Sequence, residues 1–149
     1  MKDYVFRYGD GTVTLSLDET HVLGELHGNK VPPIEDIPAA LARVLDAPIG
    51  MPALSSWIQP GERIALIISD MSRFWMRQDK VIPPLVDYLN RRCGVADDHL
   101  TIIVANGTHD GGDEKELRTL VTDAIYDRIR VVNHDCNAQV GGQAVLGRQ

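Results

Sequence analysis

Ile64-Ala65-Leu66-Ile67-Ile68 is a short, unbroken apolar run, opened by Gly61 and closed by Ser69-Asp70. A strand buried on both faces of a parallel sheet reads this way, whereas a half-exposed antiparallel strand alternates apolar with polar residues. Two similar runs follow, Leu100 to Ala105 and Ile129 to Val132, the last ending at Asn133-His134-Asp135. Between the first two, Val81, Ile82, Leu85 and Leu89 recur at helical spacing, with Pro83 and Pro84 expected in the first turn and Gly94 as the stop. Between the second and third, Asp113 and Glu116 form a capping pair, and Leu117, Leu120, Val121, Ala124 and Ile125 give one helix its core face. Strands separated in this way by helices are consecutive βαβ units, whose right-handed crossovers make the strands parallel. The expected fold class is α/β, with a doubly wound, mainly parallel sheet.

Upstream, Thr12 to Leu17 alternates apolar and polar residues, as do parts of His21 to Leu26, with Asp18-Glu19-Thr20 as a turn between them. An N-terminal β-hairpin is expected there. After the loop at Pro32-Pro33, the spacing of Ile34, Ile37, Leu41, Val44 and Leu45 predicts a helix with Pro38 in its first turn, stopping before Pro48-Ile49-Gly50.

The 149 residues correspond to about one domain, and 44% hydrophobic with 24% charged residues is the balance of a folded chain. A net charge of −6 without a basic run excludes the phosphate-tracking stripe that nucleic-acid binding requires. The start, Met1-Lys2-Asp3-Tyr4-Val5, lacks the apolar core of a secretory signal, and no run approaches the ~20 apolar residues that span a bilayer, so a cytoplasmic location without membrane association is expected. Cys93 and Cys136 have no Cys or His at zinc-ligand spacing and are expected to be free thiols. His21, His27 and His99 read as surface residues, and Trp57 and Trp75 as core or lid anchors.

In an open parallel sheet the ligand site lies beyond the carboxyl ends of the strands. Those ends carry Ser69-Asp70-Met71-Ser72-Arg73, Asn106-Gly107-Thr108-His109 and Asn133-His134-Asp135. Arg73 offers a planar fork for a carboxylate or phosphate, and Asp70 is either a site residue or a cap paired with Arg73. Ser72 adds a hydroxyl, or caps the loop. His109 follows Gly107 and is the leading acid/base candidate, while His134 either shares that role or holds its turn. Gly9-Asp10-Gly11 does not open a helix after a strand, so a nucleotide bound in the usual Rossmann manner is disfavoured.

Taken together, Asp46-Ala47-Pro48-Ile49-Gly50, Ser69-Asp70-x-x-Arg73, Val104-Ala105-Asn106-Gly107-Thr108-His109, Glu116-Leu117 and Val132-Asn133-His134-Asp135 resemble, in order and spacing, the N-terminal half of the lactate racemase family. The resemblance implies a racemase or epimerase of 2-hydroxy acids, of which residues 1–149 are the N-terminal α/β domain and from which a C-terminal domain is missing. It implies reversible hydride transfer to a nickel-pincer nucleotide, of the nickel pyridinium-3,5-bisthiocarboxylic acid mononucleotide type. Asp70, Ser72 and Arg73 would contact that cofactor, Arg73 would also meet the substrate carboxylate, and His109 would be one of two proton-transfer histidines. The tethering lysine and the nickel-ligand histidine would lie after Gln149, so no metal ligand is assigned here. The chain departs from the family at Phe74, where proline is usual, and at Asp110-Gly111, where Arg-Pro is usual, which leaves the identity of the substrate open. The competing reading is a stand-alone module that binds small anions without redox chemistry. A hydrolase using His109 and Asp70 lacks an activated nucleophile.

Overall fold

The apolar runs form the sheet of the larger of two compact units in a computed structural model that describes residues 1–140 and 143–146. Strand β3 (Ile64–Ser69), β4 (Leu100–Ala105) and β5 (Arg130–Val140) lie side by side in parallel, and β6 (Gln143–Leu146) adds to β5 in antiparallel fashion. The α/β class, the mainly parallel sheet and an N-terminal hairpin are all present. Lateral pairing aligns Leu66 with Ile102 and Val131, and Ile68 with Val104 and Asn133. These residues share the face on which the helices pack, because strand side chains alternate between faces. There Ile102 and Val104 meet Val86 and Leu89 of helix α3 (Gln78–Cys93) and Leu117 and Leu120 of α4 (Glu114–Val121), all 0 or 1% exposed. Fully burying each such side chain is worth about 1.5–3 kcal/mol, so this layer dominates the stability of the sheet. On the opposite face Ala65 is exposed and Ile67 is 73% exposed.

Local chemistry sets the helix bounds. Helix α1 (Ile37–Asp46) starts where the Asp36 carboxylate accepts the Ala39 N–H at 2.9 Å, with Pro38 in the first turn as expected. It packs on α3, tied by the Tyr88 hydroxyl donating to Asp46 at 2.6 Å, and the short α2 (Leu54–Trp57) follows it. Asp113 caps α4 by accepting the Glu116 N–H at 2.8 Å. Gly94, in the left-handed region at φ +70°, ends α3.

Several expectations are corrected. Pro83 and Pro84 sit inside α3, which begins at Gln78, five residues before Pro83, and not in its first turn. The burial of Ile82, Val86 and Leu89 holds the helix together across the N–H groups the prolines lack. The helix expected over Leu117 to Ile125 is broken at Thr122, whose φ of +77° interrupts the ladder before α5 (Asp123–Tyr126). The third core strand does not end at Asn133-His134-Asp135 but continues to Val140, so His134 is a strand residue and does not hold a turn. Trp57 and Trp75 are 61% and 74% exposed and anchor no core, because each lies in a short element with no layer above it.

Residues Met1–Pro33 form a compact unit of their own. The hairpin there pairs β1 (Lys2–Tyr8) with β2 (Gly11–Leu17) around Gly9-Asp10, not Thr12–Leu17 with His21–Leu26. Gly9 takes the φ of +56° that a two-residue hairpin turn demands of its first position. Asp18 instead caps a single 3-10 turn over Glu19–His21 through the Thr20 N–H, and residues 22–33 carry no regular strand. Cys93 is buried, which raises its thiol pKa, and Cys136 is exposed; both are free.

Candidate active site

Two loops at the carboxyl ends of β3 and β4 meet across the top of the sheet. After β3 the chain leaves as a 3-10 turn over Met71–Met76, with the Arg73 N–H bonded to the Asp70 carbonyl at 3.1 Å. After β4 it turns at Asn106-Gly107-Thr108-His109, closed by the His109 N–H on the Asn106 carbonyl at 3.0 Å, with Gly107 supplying a φ of +61°. The two turns bring Asp70 and His109 together although 39 residues separate them: His109 Nδ1 lies 2.5 Å from Asp70 Oδ2. Ser72 Oγ donates to the other carboxylate oxygen at 2.6 Å.

Hydrogen bonds from His109 first, and then from Ser72, stabilise the charged form of Asp70 and hold its pKa below the ordinary aspartate value, against a smaller opposing effect of burial. The contact engages Nδ1 with the carboxylate and so turns Nε2 away from Asp70. With the His109 side chain 61% exposed and that of Asp70 15% exposed, the base faces solvent from a sheltered support.

Asp70 is therefore not a cap paired with Arg73. It makes no side-chain cap bond to the turn, and its partners are Ser72 and His109. Arg73 lies three residues along the same turn, exposed, and among the described residues its guanidinium makes no ion pair or hydrogen bond. An exposed guanidinium on the same turn as Asp70 is available to an anionic ligand. The Ser72 hydroxyl proton is committed to Asp70, so toward a ligand Ser72 offers lone pairs.

The neighbouring support was not legible residue by residue. Asn106 is 2% exposed, and its amide donates to Asn133 Oδ1 at 3.1 Å and to the His134 carbonyl at 3.0 Å. Asn133 in turn accepts the Gly112 N–H at 3.2 Å and donates to the Gly112 carbonyl at 2.8 Å, pinning the loop that follows His109. A Cβ on Gly111 would come within 2.9 Å of Asn133 Cγ, which explains a glycine where any side chain would collide with that brace. Asn106 follows β4 at the strand tip, whereas Asn133 lies inside β5 and reaches the loop from there. His134 contributes its carbonyl to this network.

A cavity of about 140 Å3 lies against Asp70, with Asn106, Asp110 and Glu116 as its other polar side chains. Among the described residues, no three His, Cys, Asp or Glu side chains are grouped as a metal ion would require. His21 and His27 are exposed, and His99 is partly exposed beside the Glu62 carbonyl.

No curated protein matches the sequence. Among solved structures, the chain is similar to the lactate racemase apoprotein of Thermoanaerobacterium thermosaccharolyticum, with a TM-score of 0.73 and 22% sequence identity. The match covers 90% of this chain and 30% of that one, so the chain spans about a third of the length of its structural relative. At that identity the likeness shows the fold, which in both is an α/β sheet. The model of the lactate racemase N-terminal domain matches residues 8–146, nearly the whole sequence, and the chain belongs to that family.

Proposed function

We propose that this chain supplies the strand-tip part of the active site of a 2-hydroxy acid racemase or epimerase working by reversible hydride transfer to a nickel-pincer nucleotide. The observation that carries the reading is the Asp70–His109 pair, 2.5 Å apart, with Arg73 exposed three residues along the same turn and making no ion pair among the described residues. In this reading Arg73 receives the substrate carboxylate, and His109 Nε2 takes the hydroxyl proton as the α-hydrogen leaves with its electron pair. The cofactor, when bound, supplies a reversible acceptor for that hydride. Removing the hydroxyl proton raises the electron density that expels hydride, and the cationic fork keeps the carboxylate from turning away. Asp70 stabilises the imidazolium formed in this step, and the planar keto acid regains hydride on its opposite face with the proton returned by an acid on that side.

The side chains present fit the anionic part of such a cofactor. Arg73 is free to meet its phosphate, while Ser72 and Asp70 present oxygen acceptors to sugar hydroxyls. The nickel ligand, the tethering lysine and a second proton-transfer histidine then belong to chain beyond residue 149, in a C-terminal domain. The exposed Ile67, and the exposed Phe6, Tyr8 and Leu15 of the hairpin, support further chain packing against these units. Residues 1–149 alone are then inactive, and the whole protein works in the cytoplasm.

The test is an assay of the full-length natural product, loaded with cofactor, on enantiopure 2-hydroxy acids. Optical purity should decay for at least one acid, with His109→Ala slowing the decay about 10²–10⁴-fold and Arg73→Ala raising KM. No isomerisation across a panel of such acids, or rates unchanged in both variants, contradicts the proposal. The panel also identifies the substrate.

A further inference from the structure

Among the described residues, strand β3 lies at the edge of the sheet, with β4 on one side and no strand on the other. In a parallel strand the N–H and C=O of one residue point to the same side, and those on an open edge need partners from elsewhere. At Ser69, the last residue of β3, a single side chain meets both needs. Gln78 Oε1 accepts the Ser69 N–H at 2.9 Å, and Gln78 Nε2 donates to the Ser69 carbonyl at 3.0 Å. The carboxamide reproduces one rung of a missing strand.

Gln78 is the first residue of α3, and its direction is set by the residue before it. Arg77 is a non-glycine residue in the left-handed region, at φ +55° and ψ +48°. Its guanidinium holds Asp79 at two points, 2.9 and 2.7 Å, and lies 5.8 Å from the centre of the Phe74 ring. Backbone in this region is costly for an arginine and persists where surrounding contacts over-determine it. The bend turns the first side chain of the helix back onto the strand end.

We infer that Gln78 is a positioning residue, which by closing the Ser69 rung fixes the direction in which the next residue, Asp70, presents its carboxylate to His109. The consequence for turnover rests on the proposed function, but the positioning itself does not. The Ser69 carbonyl that Gln78 holds belongs to the peptide bond leading into Asp70, whose only side-chain hydrogen-bond partners among the described residues are Ser72 on its own turn and His109 on the next loop. The rung ties the open side of the β3 end to the start of α3.

The experiment uses isotope-labelled chain and three NMR readouts: amide exchange at Ser69, the His109 Nδ1 resonance, and the titration of the Asp70 carboxyl carbon. The titratable side chains that face Asp70 or share its cavity are His109, Asp110 and Glu116, and these are left intact. Gln78→Ala should speed Ser69 exchange about tenfold, as loss of about 1–1.5 kcal/mol of hydrogen bond implies. It should also shift His109 Nδ1 away from its carboxylate-bonded position and raise the Asp70 midpoint toward that of an ordinary aspartate. Gln78→Glu keeps the acceptor for the Ser69 N–H and should retain most of the exchange protection with an intermediate Asp70 shift, which keeps the test decisive if the alanine variant does not fold. Faster Ser69 exchange with the His109 and Asp70 signals unmoved would overturn the inference, leaving Gln78 a brace of the strand edge. These readouts require no substrate, so failure of the racemase reading would leave this result standing.

Discussion

The N-terminal hairpin and the β3–β4–β5 sheet each carry an apolar face, yet they are held in opposite ways. Hairpin register places Tyr4, Phe6, Val13, Leu15 and Leu17 together, but Phe6 remains 53% and Leu15 48% exposed. Its order comes from the Gly9 turn and the backbone ladder, and two-stranded hairpins held this way are marginal in water. The sheet instead buries Ile102 and Val104 to 0 or 1% exposure against two helices. Rigid support lies under the strand tips, where the Asp70–His109 pair must be held to a fraction of an ångström, and local order is enough elsewhere.

The largest test of this contrast is Ile102→Ala, which should cost about 2–5 kcal/mol in urea unfolding. Next, Asn133→Ala removes the brace shared by Gly112 and Asn106 and should cost about 1–3 kcal/mol, through partners left unsatisfied under the His109 loop. Asp113→Ala should cost about 1 kcal/mol, the usual value of an N-cap, and leave the Asp70–His109 contact unchanged. Smaller still is the share carried by Asp70. Its folded-state pKa is depressed, so its stabilisation is full above the ordinary aspartate value of about 3.9 and fades as pH falls through the lowered folded value. Asp70→Asn should remove that part of the acid sensitivity, measured as melting temperature against pH. Smallest, Phe6→Ala should cost under about 1 kcal/mol because half the ring already meets water. A loss at Phe6 equal to that at Ile102 would erase the distinction between the two regions.

How far the sequence could be read follows the same contrast. Strands buried by packing announce themselves as continuous apolar runs, and Leu100–Ala105 is bounded as expected. The hairpin was legible as alternation, but alternation does not say which neighbour a strand pairs with. Thr12–Leu17 had Gly9-Asp10 on one side and Asp18-Glu19-Thr20 on the other, and the positive φ available at Gly9 decided it. The strand-tip rule brought Asp70 and His109 onto one candidate list, and the structure joins them. It could not foretell that Asp70 would choose His109 and Ser72 over Arg73, since that depends on the angle between two loops. Gln78 and Asn133 were invisible as supports because a carboxamide bonding backbone across the fold has no local signature.

The most direct measurement of the central claim follows the α-hydrogen itself. Full-length enzyme loaded with cofactor is given a 2-hydroxy acid deuterated at the α-carbon, in ordinary water, and the opposite enantiomer is analysed by mass spectrometry. Hydride transfer assisted by His109 predicts that the product keeps its deuterium, because an α-hydrogen that leaves with its electron pair is not released to solvent as a proton. Product carrying hydrogen in its place would show that the α-position leaves as a proton, and would contradict the account.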